Sequence, residues 1–285
     1  MDWIEILKVI LFGIVEGITE WLPISSTGHM LLLDHLLPLE ASPAFKEMFF
    51  VVIQLGAIFA VLLLFRKRLF PFTIEKNNAA PRLITDKACL RLWGKIAIGC
   101  IPAALLGLIF DDFLESHLHT SLVIALTLIG YGAAFIVVEN LQKDRVPKTA
   151  ATADISFKQA FLIGIFQSLS LIPGTSRSGA TILGALILGL SRPAGADFSF
   201  FLAIPVMFGA SALKLVKFFL ESGGFSAPEF FLLLIGSVVA FGVSILAIRF
   251  LTNFVKQHNF KPFGWYRILL GVAVIATLVL PPLLK

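Results

Sequence analysis

Charge is scarce in this chain. Asp, Glu, Lys and Arg make up only 14% of its 285 residues, whereas 58% are hydrophobic and 28 are phenylalanine. A soluble domain carries roughly a quarter of its residues as charge, so that class is excluded. Cysteine is almost missing as well. Cys89, in a polar stretch, and Cys100, in an apolar one, lie eleven residues apart, which fits neither a metal-ligand spacing nor a disulfide framework. The opening "MDWIEILKVI" lacks the basic n-region of a secretory signal and carries Asp2 and Glu5 instead, so the start reads as mature chain. No "GxxxxGK[ST]" is present, which argues against a nucleotide-binding P-loop. The net charge of +5 does not mark a nucleic-acid surface either, because Lys and Arg collect in a few loops without a recognisable nucleic-acid motif.

What is present is membrane chain, with a mean hydropathy of +0.92. Six stretches, approximately 48–65, 94–110, 122–140, 198–220, 229–251 and 264–284, are long and apolar enough to cross a bilayer, which takes about 20 residues for a ~30 Å core. Residues 4–37 and 157–190 are different. Each has the length of two short helices and is interrupted by Pro, Gly, Ser and Thr, in "WLPISSTGH" and "LIPGTSRSGAT". Irregular backbone at membrane depth is tolerated only when it is buried in protein or lines a wet cavity, so both regions read as re-entrant helical hairpins.

The two regions resemble each other at an offset of 151, which sets Gly13 over Gly164, Ile14 over Ile165, Ser25 over Ser176, Gly28 over Gly179 and Glu16 over Gln167. Three spans follow each hairpin. An odd number turns the second copy upside down, so the expected fold is an all-α polytopic membrane protein, one integral domain over 1–285, with an inverted-topology repeat of 1–140 on 155–285. Loop charge orients it. Eight Lys or Arg fall within 66–95 and four within 141–158, while 111–120 and 221–228 have none, so the basic loops are expected in the cytoplasm and the first hairpin enters from outside. Trp3, Trp21, Trp93 and Trp265 suit either an interfacial belt or packing.

The hairpin tips carry the chemistry. Glu16 and Glu20 share one helix face, and no Lys or Arg lies between Lys8 and Lys46 to pair with them, so a functional role is expected. Asp34 and Glu40 read as interfacial charges, and His35, His117, His119 and His258 as solvated. Ser25, Ser26, Thr27, Gly28 and His29 follow, hydroxyls and an imidazole suited to nucleophilic or proton-transfer work or, for the hydroxyls, to closing a turn. At the second tip the helix is expected to resume near Thr181. Hydroxyls of Ser176, Ser178 and Thr181 then stand at a helix N-terminus beside the Arg177 fork, a set suited to phosphate oxygens, although Arg177 could simply neutralise Glu16 or Glu20. Carboxylates repel phosphate. A divalent cation, Mg²⁺ or Ca²⁺, on Glu16 and Glu20, or else protonated carboxyls, would reconcile the two, and the natural occupant is a phosphorylated lipid.

The motifs "EGITEWLPISSTGHM" (16–30) and "PGTSRSGAT" (173–181) resemble those of the bacterial undecaprenyl-diphosphate phosphatase family, the bacitracin-resistance type. The likeness runs over nearly the whole chain, including 49–61 and 197–205, where Asp197 stands for the usual Glu. The resemblance implies hydrolysis of undecaprenyl diphosphate, recycling the peptidoglycan carrier lipid at the outer side of the bacterial cytoplasmic membrane. It implies Glu16 and Glu20 as metal ligands or acid and base, Ser26 or His29 as nucleophile, and Ser176, Arg177 and Thr181 on the diphosphate, with Gln54 a further polar contact. Ser25, Thr27 and Ser178 complete the expected binding set. Acid-phosphatase-type lipid phosphatases are disfavoured, because "SSTGH" matches their first motif only partly and the histidine of their second is missing. The alternative is a flippase or transporter for polyprenyl phosphates, with Glu16 and Glu20 carrying protons or cations; a homodimer stays open in either case.

Overall fold

The computed structural model describes residues 2–77 and 80–283, and most of them are helical. Helices α1 (Trp3–Thr19) and α2 (Ser26–Leu36) form the first broken pair. Then come α3 (Pro43–Val52), α4 (Gln54–Leu64), the short α5 (Arg66–Leu69), an antiparallel hairpin of β1 (Phe72–Asn77) and β2 (Ala80–Thr85), α6 (Lys87–Leu118) and α7 (Ser121–Leu141). The second broken pair is α8 (Phe157–Ser168) and α9 (Arg177–Ile187). It is followed by α10 (Arg192–Ser222), α11 (Ala227–Gln257), α12 (Lys261–Val274), a π-helical turn and α13 (Leu280–Leu283). Six segments can cross a membrane by length and composition: 43–64, 87–110, 121–141, 192–222, 227–257 and 261–279. The protein is a multi-pass helical membrane protein. Two expectations change in detail. The first span is two helices parted at Ile53, and the basic 66–95 stretch is structured, with Cys89 buried in the first turn of α6.

Helix starts follow local chemistry. Ser42, Thr120 and Ser191 each accept a backbone N–H, and Ser156 with Gln159 and Ser226 with Glu229 form reciprocal capping boxes. Packing between helices relies on glycine. A Cβ at Gly13 would lie 2.7 Å from the Gly236 carbonyl oxygen, one at Gly164 only 2.2 Å from that of Gly99, and one at Gly132 2.6 Å from that of Gly264. These contacts join α1 to α11, α8 to α6 and α7 to α12, the close approach that association in lipid requires. The core they frame is largely aromatic, with Phe135, Phe198, Phe200, Phe201 and Phe260 all buried. At one end Arg68 bonds Asp197 at 2.6 Å, and Arg192 pairs with buried Glu139, which also accepts from the Phe260 amide.

Candidate active site

The two breaks use one backbone device. Ser25 and Ser176 are the only described non-glycine residues with positive φ, at 72° and 71°. Each caps the helix that follows: Ser25 Oγ accepts from Gly28 N at 3.4 Å and Ser176 Oγ from Gly179 N at 3.1 Å. A left-handed serine costs backbone energy, so its recurrence at both tips marks turns held by their surroundings. The cap also brings α9 forward to Arg177, one turn earlier than the expected Thr181. Trp21 settles as a packing residue, fully buried and edge-on to Phe200.

The tips meet at Glu20. Its Oε1 accepts from Arg177 Nη2 at 3.0 Å and its Oε2 from Ser26 Oγ at 2.8 Å. The Arg177 and Glu20 side chains are 9% and 8% exposed, so water screens the pair little. Arg177 Nη1 donates to Ser199 O at 2.8 Å, while its Nε has no hydrogen-bond partner among the described residues. Ser178 Oγ lies 3.1 Å from Glu20 O and 3.3 Å from Leu22 O, pinning the first tip to the second. Thr181 Oγ1 contacts Ser199 Oγ at 2.6 Å and caps back to Arg177 O. Arg177 is thus the partner of Glu20, with one donor in reserve.

Glu16 is fully buried, and neither carboxylate oxygen has a hydrogen-bond partner among the described residues. Its counterpart Gln167 is equally buried, with Oε1 unpartnered and Nε2 3.5 Å from Gly99 O. Burying a carboxylate in this way is costly without something to share its charge. No three His, Cys, Asp or Glu side chains gather as a metal-holding cluster among the described residues.

His29 looks elsewhere. Its Nδ1 lies 2.7 Å from Ser25 O, an acceptor only, so Nδ1 carries the proton; Nε2 then accepts from the Tyr266 hydroxyl at 2.8 Å. Ser26 gives its proton to Glu20, not to His29. Thr27 is exposed on α2, and Gln54 is half-buried where α3 meets α4; neither is bonded to the Glu20–Arg177 pair.

Three contributors were missed in the sequence. Ser199 and Tyr266 lie in apolar spans and signal nothing alone. Arg267 did give a signal, as the single charge within 264–284. It is fully buried and braces both tips: Nη1 donates to Pro23 O at 3.2 Å, and Nη2 to Gly174 O and Thr175 O at 2.9 Å each. Its guanidinium also sits 5.5 Å from the Tyr131 ring centroid. No carboxylate pairs with it among the described residues, so its charge is met by carbonyl dipoles.

Residues 9–273 match the family model for bacitracin resistance protein BacA. The chain is 58% identical over 275 residues to an undecaprenyl-diphosphatase of Enterococcus faecalis, covering 96% of this chain and 98% of that one. It is 53% identical over 276 residues to the undecaprenyl-diphosphatase of Desulfitobacterium hafniense, covering 96% of each. With that of Acetivibrio thermocellus it shares 52% over 272 residues, 95% of this chain and 97% of the relative.

Proposed function

We infer that this chain, which belongs to the bacitracin resistance protein BacA family, is an undecaprenyl-diphosphatase that hydrolyses undecaprenyl diphosphate to undecaprenyl phosphate and phosphate. The observation that carries the site is the line Ser26–Glu20–Arg177, a hydroxyl on a carboxylate on a guanidinium, formed where two broken helix pairs meet.

In the mechanism we propose, Ser26 Oγ attacks the terminal phosphorus while its proton passes to Glu20, to which it is already bonded. The new P–O bond forms as the bond to the bridging oxygen breaks, and undecaprenyl phosphate leaves. Glu20 passes that proton to the departing oxygen and, a carboxylate again, takes a proton from water, whose oxygen attacks the serine phosphate; the proton returns to Ser26 Oγ as inorganic phosphate leaves. Arg177, through its unpartnered Nε and the donors it can turn from Ser199 O, meets the phosphoryl oxygens, with Thr181 and the α9 N-terminus beside it. His29, half-buried with Nδ1–H on Ser25 O and Nε2 on the Tyr266 hydroxyl, is assigned a positioning role on the helix that carries Ser26.

Glu16 fits a divalent cation, Mg²⁺ or Ca²⁺, because two buried unpartnered carboxylate oxygens one helical turn from Glu20 are the hard ligands such an ion takes. Glu16 and Glu20 would hold it, and it would supply charge neutralisation on the diphosphate.

The finer architecture is part of the same proposal. We read α1–α2 and α8–α9 as re-entrant hairpins of an inverted repeat, 1–140 on 155–285. Support comes from the left-handed serines at equivalent positions and from the glycine contacts, α1 on α11 matching α8 on α6. Loop charge supports basic loops in the cytoplasm, which opens the first hairpin to the outside of the inner membrane, the side on which the carrier lipid is recycled for cell-wall synthesis. The repeat also favours a second reading, movement of polyprenyl phosphate between leaflets. Ser26 on Glu20 favours cleavage, since transport needs no nucleophile.

The test is phosphate release from undecaprenyl diphosphate by detergent-purified protein, with and without EDTA. Release that EDTA suppresses and Mg²⁺ or Ca²⁺ restores supports the reading. No release by well-folded protein supplied with both ions would sink it.

A further inference from the structure

At the basic end of the bundle, a cleft of about 550 Å³ lies between the end of α4 and the last third of α11. Its wall is apolar, from Leu63, Leu64 and Ile245, and its rim carries Arg66, Lys67 and Arg249. All three cations are exposed, and none has a carboxylate or other hydrogen-bond partner among the described residues. Their neighbour Arg68 differs, being bonded to Asp197 at 2.6 Å. Three of the four cations lining the cleft are therefore without a carboxylate among the described residues.

Apolar surface continues along the same two helices. A second groove of about 440 Å³, walled by Leu55, Phe59, Leu234, Val238 and Phe241, lies between the same two helices. Phe59 and Leu63 are one turn apart on α4, as are Phe241, Ile245 and Arg249 on α11, so groove and cleft share one face. Below them the helices touch, since a Cβ at Gly56 would lie 2.0 Å from Ser237 O. From Leu234 to Arg249 α11 rises roughly 22 Å, more than one leaflet's share of a ~30 Å hydrocarbon core. Loop orientation and the α4 dipole account for cations at this end, but not for their place at the mouth of an apolar groove.

We propose that this is a binding site for an anionic membrane phospholipid, its headgroup phosphate on Arg66, Lys67 and Arg249 and one acyl chain in the groove beside Phe59 and Phe241. Basic pockets between membrane helices recognise such headgroups. The site stands apart from the phosphatase reading. It takes from the proposed topology only the leaflet that supplies the lipid.

Full-length protein is purified in detergent, equilibrated with equal phosphatidylglycerol and phosphatidylcholine of the same acyl chains, and the retained lipid is counted by mass spectrometry. Wild type is expected to favour phosphatidylglycerol by about tenfold, and Arg66→Gln/Lys67→Gln/Arg249→Gln to bring the ratio within about twofold. Val238→Trp, which fills the groove and leaves the cations, is expected to lower retained phosphatidylglycerol. Phosphate release by the same variants reports that they are folded. Equal ratios in wild type and the triple variant overturn the proposal. So does displacement by inorganic phosphate alone, which marks a free-anion site, or preferential retention of undecaprenyl phosphate, which assigns the cleft to the enzyme's own product.

Discussion

Glu20 and Arg177 are separated by 157 positions in the chain and by 3.0 Å in the fold, and each comes from a different broken helix pair. Their contact turns two loops into one site. Around it, Ser26 binds the other carboxylate oxygen, Ser178 ties the tips together and Arg267 braces both from behind.

Loss of the pair has a definite signature. Arg177→Ala leaves Glu20 buried and unpaired and is expected to cost about 3–5 kcal/mol. Glu20→Gln/Arg177→Gln should recover part of that stability in detergent unfolding while remaining inactive, which separates the structural role from the chemical one.

Glu20→Gln keeps the shape and removes the base. Phosphate release is expected to fall about 10²–10⁴-fold, the scale of positioned proton transfer. Arg177 is then buried without its counter-charge, so stability should also fall in thermal unfolding, although the Gln amide oxygen can still accept from Arg177.

Arg267 touches no reacting atom in the proposed mechanism and acts through the backbone. Arg267→Ala orphans the carbonyls of Pro23, Gly174 and Thr175. At about 1–3 kcal/mol for each buried group left unsatisfied, the variant should unfold far more readily. Arg267→Lys should recover only part, because a point ammonium cannot span carbonyls from two loops. Unfolding midpoints of the three proteins check the order.

Gly174 permits the second turn. With φ of 85° and a would-be Cβ only 2.3 Å from Thr127 Oγ1, Gly174→Ala should disrupt the tip and abolish phosphate release. Ser25→Asn keeps a side-chain cap and tolerates positive φ, so it should retain most stability, whereas Ser25→Val should lose it.

If Glu16 holds a cation, Glu16→Gln should lose the response to EDTA and to added Mg²⁺ or Ca²⁺ along with most activity. A variant as inactive as expected but still stimulated by the ion in proportion to wild type would place the cation elsewhere.

Much of this was legible in sequence for a physical reason. Breaks and stranded charges are local features, so both polar tips announced themselves. The parting of α3 from α4 at Ile53 did not, because neither glycine nor proline marks it. Partners were less legible still. That His29 turns to Tyr266, 237 positions on, depends on how α12 packs against the first pair, which no local pattern encodes. Arg267 shows both sides: its cost in a membrane span was visible, its carbonyl partners were not.

The most direct measurement is to mix the enzyme with undecaprenyl diphosphate, quench within the first turnover in neutral denaturant, and locate phosphate on peptides by mass spectrometry. Neutral conditions preserve phosphohistidine as well as phosphoserine. The account predicts phosphate on Ser26, absent in Ser26→Ala. Phosphate on His29, or turnover with no phosphoenzyme at all, would contradict it.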